Sequence, residues 1–455
     1  MKRLLRNLLL PLTVIGASAL ITAPAQAATG IAPAREFAPR QLLVKFEGEA
    51  RGRVITLPRG SGVQQSAEAL RSNERVVYAE PNYLASASAQ PYDPNDSGAL
   101  EEGAGLSSAS GDWAFKQWNF LASEETAGAL PTSPGGIDAV GAWRNLIEVG
   151  RPGATGIVVA VLDSGIAYRS LGKKFRPSPD FGPKQFVPGY DFIDRDRVPL
   201  DESGHGTHVA GTIAERTDNG IGVTGLAYRA QLMPVRVLDQ EGFGDAFEIA
   251  KGIRFAVAHG AQVINMSFNF PCGKQVPLVD EALREAYERG VVTVASAGNL
   301  GAEGCVSAPA TGPRVIGVGG TTEGACLGDY SLAGSAIDIL APGGGVPQRG
   351  CPSVAARPIY QVTLRPASTN TFGIPVNYVG TSMAAAHVSG VVAMVLASRT
   401  INPLIDGEAR VRAVTKRLRH TARDLGLPRK QQGAGLVDAA DATGVFPKFF
   451  PAASR

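Results

Sequence analysis

Charge is scarce in this 455-residue chain: acidic and basic residues together make up 19% of it, and the formal net charge is only +3. The basic residues form no dense Lys/Arg stripe, which argues against a partner bound through a phosphate backbone. Histidine is scarcer still, with five residues. No H-E-x-x-H motif and no C-x-x-C pair occurs, so the usual zinc arrangements have no sequence support. His205 and His208, three apart, could suggest a metal, but the acidic base of the zinc motif is missing. Apolar runs long enough to span a bilayer, about 20 residues, are also lacking. Internal repeats are not apparent.

What is present begins with Lys2, Arg3 and Arg6, an apolar stretch over 8–21 and the small residues Ala25-Gln26-Ala27. This pattern predicts a secretory signal over 1–27, and hence a secreted protein, extracellular or periplasmic in transit, with no membrane contact after signal removal. Export would place the four cysteines where disulfides persist. Of the three possible pairings, sequence order favours Cys272–Cys305 and Cys326–Cys351, each closure being worth roughly 3 to 4 kcal/mol.

Hydrophobic content of 44% supports one large core and a smaller satellite. Residues 28–84 carry apolar runs at 42–46 and 76–84 around a helical pattern at 64–72, which suggests a small α+β unit. Residues 85–112 turn to Ala, Ser, Gly, Pro and Asp and are expected to be a linker and processing region. From 113 to 444, continuous apolar runs at 157–162, 232–237, 263–266, 291–295, 315–318 and 337–340 alternate with amphipathic segments such as 247–259 and 280–289. Unbroken apolar strands predict a mainly parallel sheet with helices on both faces, an α/β fold. The Gly/Pro-rich stretch 343–375 reads as surface loops, and 445–455 as a C-terminal tail.

Three short stretches could carry chemistry. Residues 159–162 run directly into Asp163-Ser164-Gly165, a carboxylate at a strand exit, where a turn former is the ordinary alternative. His205 stands among small residues in Gly204-His205-Gly206-Thr207-His208, open to close approach, while His208 and His387 suit structural roles inside helices. Ser382, in Gly380-Thr381-Ser382-Met383-Ala384, sits where a glycine gives way to a helical run, so that it is either an N-cap or a nucleophile at a helix N-terminus.

In the order Asp, His, Ser, these stretches resemble the signature segments of the subtilisin-like serine proteases. The resemblance covers roughly 113–444 and continues through Val263-Ile264-Asn265-Met266-Ser267, Ala295-Ser296-Ala297-Gly298-Asn299, Ala341-Pro342-Gly343 and Gly433-Ala434-Gly435-Leu436-Val437-Asp438-Ala439. It implies a three-layer subtilisin-like fold and a serine endopeptidase, with Ser382 as nucleophile, His205 as base, Asp163 as its orienting partner and Asn299 in the oxyanion hole. It further implies substrate edges at Gly242-Phe243-Gly244 and Ser267-Phe268-Asn269, with Ala297 and Gly298 beside them. Phe268-Asn269-Phe270 departs from the family's glycine-rich run, and Ala386 stands where proline is usual.

Structural calcium is suggested by Asp180 with Asn219, Ile221 and Val223, whose oxygens suit a hard cation; a plain surface turn explains the same residues. Catalysis would need no cofactor. Residues 37–84, with Val77-Tyr78-Ala79-Glu80-Pro81-Asn82, resemble a propeptide of this family that folds and blocks the enzyme until cut between 84 and 111. The expected partners are peptide substrates and this propeptide, and the mature enzyme is expected to be a monomer. A serine-carboxyl peptidase would instead carry an acidic residue at Asn299 and a Glu base, and a catalytically silent relative would not need all four residues.

Overall fold

The computed structural model describes residues 37–58, 61–83, 93–100, 112–124, 130–301, 304–353 and 355–444. The expected signal and C-terminal tail lie outside them. The chain divides into two compact units, 1–86 and 87–455.

In the first unit, β1 (Phe37–Phe46), β2 (Arg53–Thr56) and β3 (Val76–Tyr83) form an antiparallel sheet in the order β2-β1-β3, with α1 (Val63–Arg71) packed on it. Leu42 and Val44, two apart on β1, point to one face and bury against Ala67 of α1 and Ala79 of β3. The expected α+β unit is present; β2, whose residues are mostly exposed, left no apolar signal.

The second unit is built on a seven-stranded, wholly parallel sheet in the order β10-β9-β8-β7-β4-β6-β5. Its strands are β4 (Val158–Asp163), β5 (Tyr190–Asp191), β6 (Gln231–Arg236), β7 (Val263–Met266), β8 (Val292–Ser296), β9 (Ile316–Thr321) and β10 (Ile339–Pro342). Six of them coincide with the apolar runs, whereas β5 has two residues and is too short for periodicity to reveal. A small hairpin pairs β11 (Thr363–Leu364) with β12 (Phe372–Gly373).

Helices α2 (Trp113–Lys116), α3 (Ala139–Glu148), α4 (His205–Ala214), α5 (Ala246–Ala258), α6 (Pro277–Glu288), α7 (Thr381–Ala397), α8 (Gly407–Thr421), α9 (Arg429–Gln432) and α10 (Ala439–Thr443) complete it. Alternate residues of β4 separate the layers: Val159 and Val161 join the core containing α3, α4 and α7, while Ala160 and Leu162 join the core under α5 and α6. Both faces being covered, the strands can be apolar throughout. Helix starts follow local chemistry: Asp245 caps α5 by accepting the Phe247 and Glu248 N–H groups, and α6 opens on Pro277.

Both disulfides pair as sequence order suggested, with Cα separations of 5.6 Å for Cys272–Cys305 and 6.1 Å for Cys326–Cys351. The stretch 343–375 differs from the expected surface loop: Ile359, Gln361, Val362 and Thr363 are fully buried, and Thr363 Oγ1 donates to the Gly204 carbonyl beside α4. Glycine and proline marked the turns there without revealing the buried strip between them. No helix among the described residues is long and apolar enough to cross a membrane.

Candidate active site

β4 ends at Asp163, which delivers a fully buried carboxylate to the carboxyl edge of the sheet. α4 opens on His205, and its next residue must be small: a Cβ on Gly206 would stand 2.1 Å from the Gly165 carbonyl oxygen. The helix start therefore rests directly on the Asp163 turn. His205 Nδ1 lies 2.7 Å from Asp163 Oδ1, which also accepts the Ser164 N–H at 2.8 Å. Burial disfavours the charged imidazole, but the negative charges of Asp163 and then Asp201 outweigh it and raise His205 above the ordinary imidazole value. The side chain stays 29% exposed.

Asp201 escaped the sequence reading. Its Oδ1 accepts Ser164 Oγ and the Ser203 and Gly204 N–H groups, each at 2.9 Å, and its Oδ2 accepts the Thr207 N–H at 2.9 Å and Thr207 Oγ1 at 2.6 Å. This buried carboxylate ties the loop before His205 to the first turn of α4. Its signal was an Asp four residues ahead of His205, a spacing that reads as an ordinary turn.

Ser382 is the second residue of α7. Gly380, just before the helix, holds φ 143°, and a Cβ there would meet Asn299 Nδ2 at 2.9 Å. Asn299 Oδ1 accepts the Thr381 N–H at 2.8 Å and Thr381 Oγ1 at 2.9 Å. With its oxygen fixed, the exposed amide keeps Nδ2 as a donor without a hydrogen-bond partner among the described residues, at the N-terminus of α7. Ser382 Oγ donates to the Ser267 carbonyl at 3.0 Å, and Ser267 Oγ donates to the Ser382 carbonyl at 2.9 Å. Helices α4 and α7 pack together, but no hydrogen bond joins Ser382 to His205 among the described residues.

A cleft of about 440 Å³ beside Asn299 gathers six of the eight expected substrate residues: Gly242, Phe243, Gly244, Phe268, Asn269 and Gly298. Ser267 and Ala297 are buried outside its lining. Apolar Leu238, Ile249, Leu300 and Leu332, which no motif marked, also line it. Asn269, one of the departures, donates from Nδ2 to the Ser296 carbonyl at 2.6 Å and bridges two segments where glycine could not. His208 and His387 hold structural places: His208 Nε2 bonds the Ile359 carbonyl at 3.1 Å, and His387 Nδ1 the Met383 carbonyl at 2.8 Å. Burial pushes them down to about 3 and about 4, so both are neutral.

The suggested cation residues come together around a buried Asp180, which accepts Asn219 Nδ2 at 2.7 Å and the Val223 N–H at 3.1 Å. Residues 93–100, expected to be linker, supply an unforeseen neighbour. Asp96 accepts the Asp218 and Asn219 N–H groups at 3.0 and 3.2 Å, Asn95 Oδ1 accepts the Gly220 N–H, and Gly98 N–H donates to the Gly222 carbonyl. Burial raises Asp96 to about 6; burial also raises Asp180, and the two carboxylates repel one another. Neither has an ion pair among the described residues, where no group of three or more His, Cys, Asp or Glu side chains is arranged to hold a metal. Asp96 and Asp180 supply two carboxylates of the kind a hard cation takes, while Asn219 turns its amide nitrogen to Asp180 and uses its oxygen on the Ile221 N–H.

The subtilase family model, peptidase S8, matches residues 154–435. The chain belongs to the subtilase family. This subtilase is 32% identical over 340 residues to the Thermophilic serine proteinase of Bacillus sp. (strain AK1), covering 75% of this chain and 68% of that protein. It is 35% identical over 292 residues to Subtilisin Savinase of Lederbergia lenta, covering 64% of this chain and 91% of that one. Among solved structures, proteases from Pseudoalteromonas arctica align with a TM-score of 0.58 at 28% identity, over 77% of this subtilase and 99% of that chain. A cold adapted subtilisin-like serine proteinase aligns with a TM-score of 0.50 at 26% identity, over 71% and 96%. The subtilase is a serine endopeptidase with the three-layer subtilisin-like fold.

Proposed function

We propose that this subtilase cleaves peptide bonds through an acyl-enzyme on Ser382 and is made as a self-processing, exported precursor. The observation that carries the reading is the Asp163–His205 hydrogen bond of 2.7 Å at one helix start, with Ser382 and the Asn299 amide at the start of a helix packed against it.

Ser382 Oγ, released from the Ser267 carbonyl by rotation, attacks the substrate carbonyl carbon while His205 Nε2 takes its proton. Asp163 holds Nδ1–H and stabilises the imidazolium. The oxyanion accepts from Asn299 Nδ2 and the Ser382 N–H. His205 then passes the proton to the leaving nitrogen, the C–N bond breaks, and water repeats the sequence to release the acid. The apolar cleft of 440 Å³ supports an extended peptide bound beside Asn299.

Residues 1–27 serve as the export signal and the 28–84 unit as the inhibitory propeptide. Two carboxylates raised chiefly by burial support calcium at Asp96, Asp180, Asn219, Ile221 and Val223. The ion would supply positive charge that fixes the 217–223 loop, and no chemical step passes through it. Expressing the full chain beside Ser382→Ala tests the reading. The wild type is expected to shorten by about the propeptide and digest unfolded casein, and the variant to do neither. Equal behaviour of the two would overturn it in favour of a peptide-binding relative.

A further inference from the structure

Far from the cleft, a cavity of about 850 Å³ lies between the end of α6, the length of α8, the entry to β9 and β10, and the 424–434 segment. Its lining carries five permanent cations, Arg314, Arg412, Lys416, Arg419 and Arg429, and His420, against Asp338 and Asp424. Both carboxylates are already engaged by the protein. Asp338 accepts the Gly317 N–H at 3.0 Å, and Asp424 accepts the Gly426 N–H and Gln432 Nε2, each at 2.8 Å. Most of the cations are not ion-paired, although the charge of Arg419 acts on Asp338. Arg412 pairs with Glu408 at 2.7 Å and Arg314 stacks over the Tyr287 ring, but Arg314, Lys416, Arg419 and Arg429 have no ion pair within 4 Å among the described residues. All four are exposed, on a molecule that otherwise has almost no net charge.

Concentrating unpaired guanidinium groups in a concavity costs free energy through mutual repulsion unless an anion visits. Guanidinium forks match carboxylates in bidentate pairs. Buried Val411 and half-buried Leu427 add apolar surface between the charges. That surface, with two carboxylates in the wall, suits a peptide better than the denser charge of a phosphodiester chain. We propose that this groove is a docking site for an acidic stretch of polypeptide, separate from the segment being cut.

The topology keeps the two apart. Ile316 begins β9 and Asp338 precedes β10, so the groove lies at the amino ends of the parallel strands, whereas Asp163 and Ser296 end β4 and β8 at the carboxyl ends. Strands of four to six residues separate these ends by about 13–20 Å. A substrate long enough to reach both would be held at a raised effective concentration.

The binding experiment uses full-length Ser382→Ala protein, and so stands whether or not the acyl-enzyme reading does. Fluorescein-labelled hexaglutamate is titrated by anisotropy against this protein and against the same protein carrying Lys416→Gln, Arg419→Gln and Arg429→Gln. The expected result is at least tenfold weaker binding by the charge variant at low salt, loss of binding to both at high salt, and no binding of hexalysine. Because the three side chains are exposed, the melting temperature should stay unchanged. In the active enzyme, the triple change should leave cleavage of a short neutral peptide within twofold and slow cleavage of a protein bearing an acidic tract several-fold. Equal hexaglutamate binding by both proteins would overturn the proposal. So would displacement of the peptide by inorganic phosphate or a single-stranded oligonucleotide at lower concentration than by unlabelled hexaglutamate.

Discussion

At the start of α4, two buried carboxylates meet partners from their own chain: Asp163 faces His205, and Asp201 receives five hydrogen bonds from Ser164, Ser203, Gly204 and Thr207. At the 217–223 loop, Asp96 and Asp180 receive backbone and amide N–H groups but face one another and the buried Glu215, whose carboxyl is raised well above its usual value by burial and then by the charge of Asp180. Glu215 Oε1 has no hydrogen-bond partner among the described residues. Burial costs each carboxylate solvation, so the difference lies in what offsets it. In the first region it is, for Asp163, an imidazole that can exchange a proton and, for Asp201, five hydrogen bonds. In the second, neither Asp96 nor Asp180 has an ion pair among the described residues, the charge of Arg216 acts on Asp180 without pairing, and bound protons or an added ion would complete the offset.

The comparison can be broken from either side. Replacing Asp163 with Asn removes the anion that raises His205 and holds its tautomer, and kcat/KM should fall about 10⁴-fold. Because Asp163 favours the charged imidazole, its loss also lowers the His205 pKa. The acid limb of the pH–rate profile should therefore move to lower pH, and a limb that stays in place in steady-state assays would separate His205 from Asp163. Asn299→Ala should lower kcat by about 10²–10³, the cost found for losing this kind of donor in a subtilisin. A KM rise with kcat unchanged would assign Asn299 to substrate binding.

In the second region, calcium at a hundredfold excess over its Kd should stabilise the folded state by about 2.7 kcal/mol, read as a rise of several degrees in Tm. Asp180→Asn should abolish the calcium response, and an unchanged response would place the ion elsewhere. The smallest effect is spectroscopic. His205 should take up its proton above the ordinary imidazole value, while His208, held near 3, and His387, held near 4, should stay neutral down to pH 5 in a histidine NMR titration. Titration of all three together would dissolve the distinction between the half-buried His205 and the two core imidazoles.

The six longer strands and the start of α4 were legible because an unbroken apolar run ending in Asp163, or a string of small residues around His205, has few other uses. Asp163, His205, Asn299 and Ser382 could be chosen because order and motif restrict them together. Asp96 and Asp201 carried no such restriction. Each is an Asp in a polar loop, and only the chain's return over 120 residues, from Asp96 to Asp218 and Asn219, turns one of them into a buried partner. The buried strip 359–364 was hidden for the same reason: it packs against α4, far earlier in sequence. The basic groove, too, draws on segments from 287 to 434 whose charges look dispersed when read in line.

The central claim is that His205 activates Ser382 as a nucleophile. It is tested most directly with an organophosphorus fluoride, which phosphorylates an activated serine and loses fluoride. Intact mass and peptide mapping should find a single adduct on Ser382, formed more slowly as pH falls through the His205 titration and almost not at all in His205→Ala. An adduct on another serine, or labelling of Ser382 at the same rate in His205→Ala, would contradict the account.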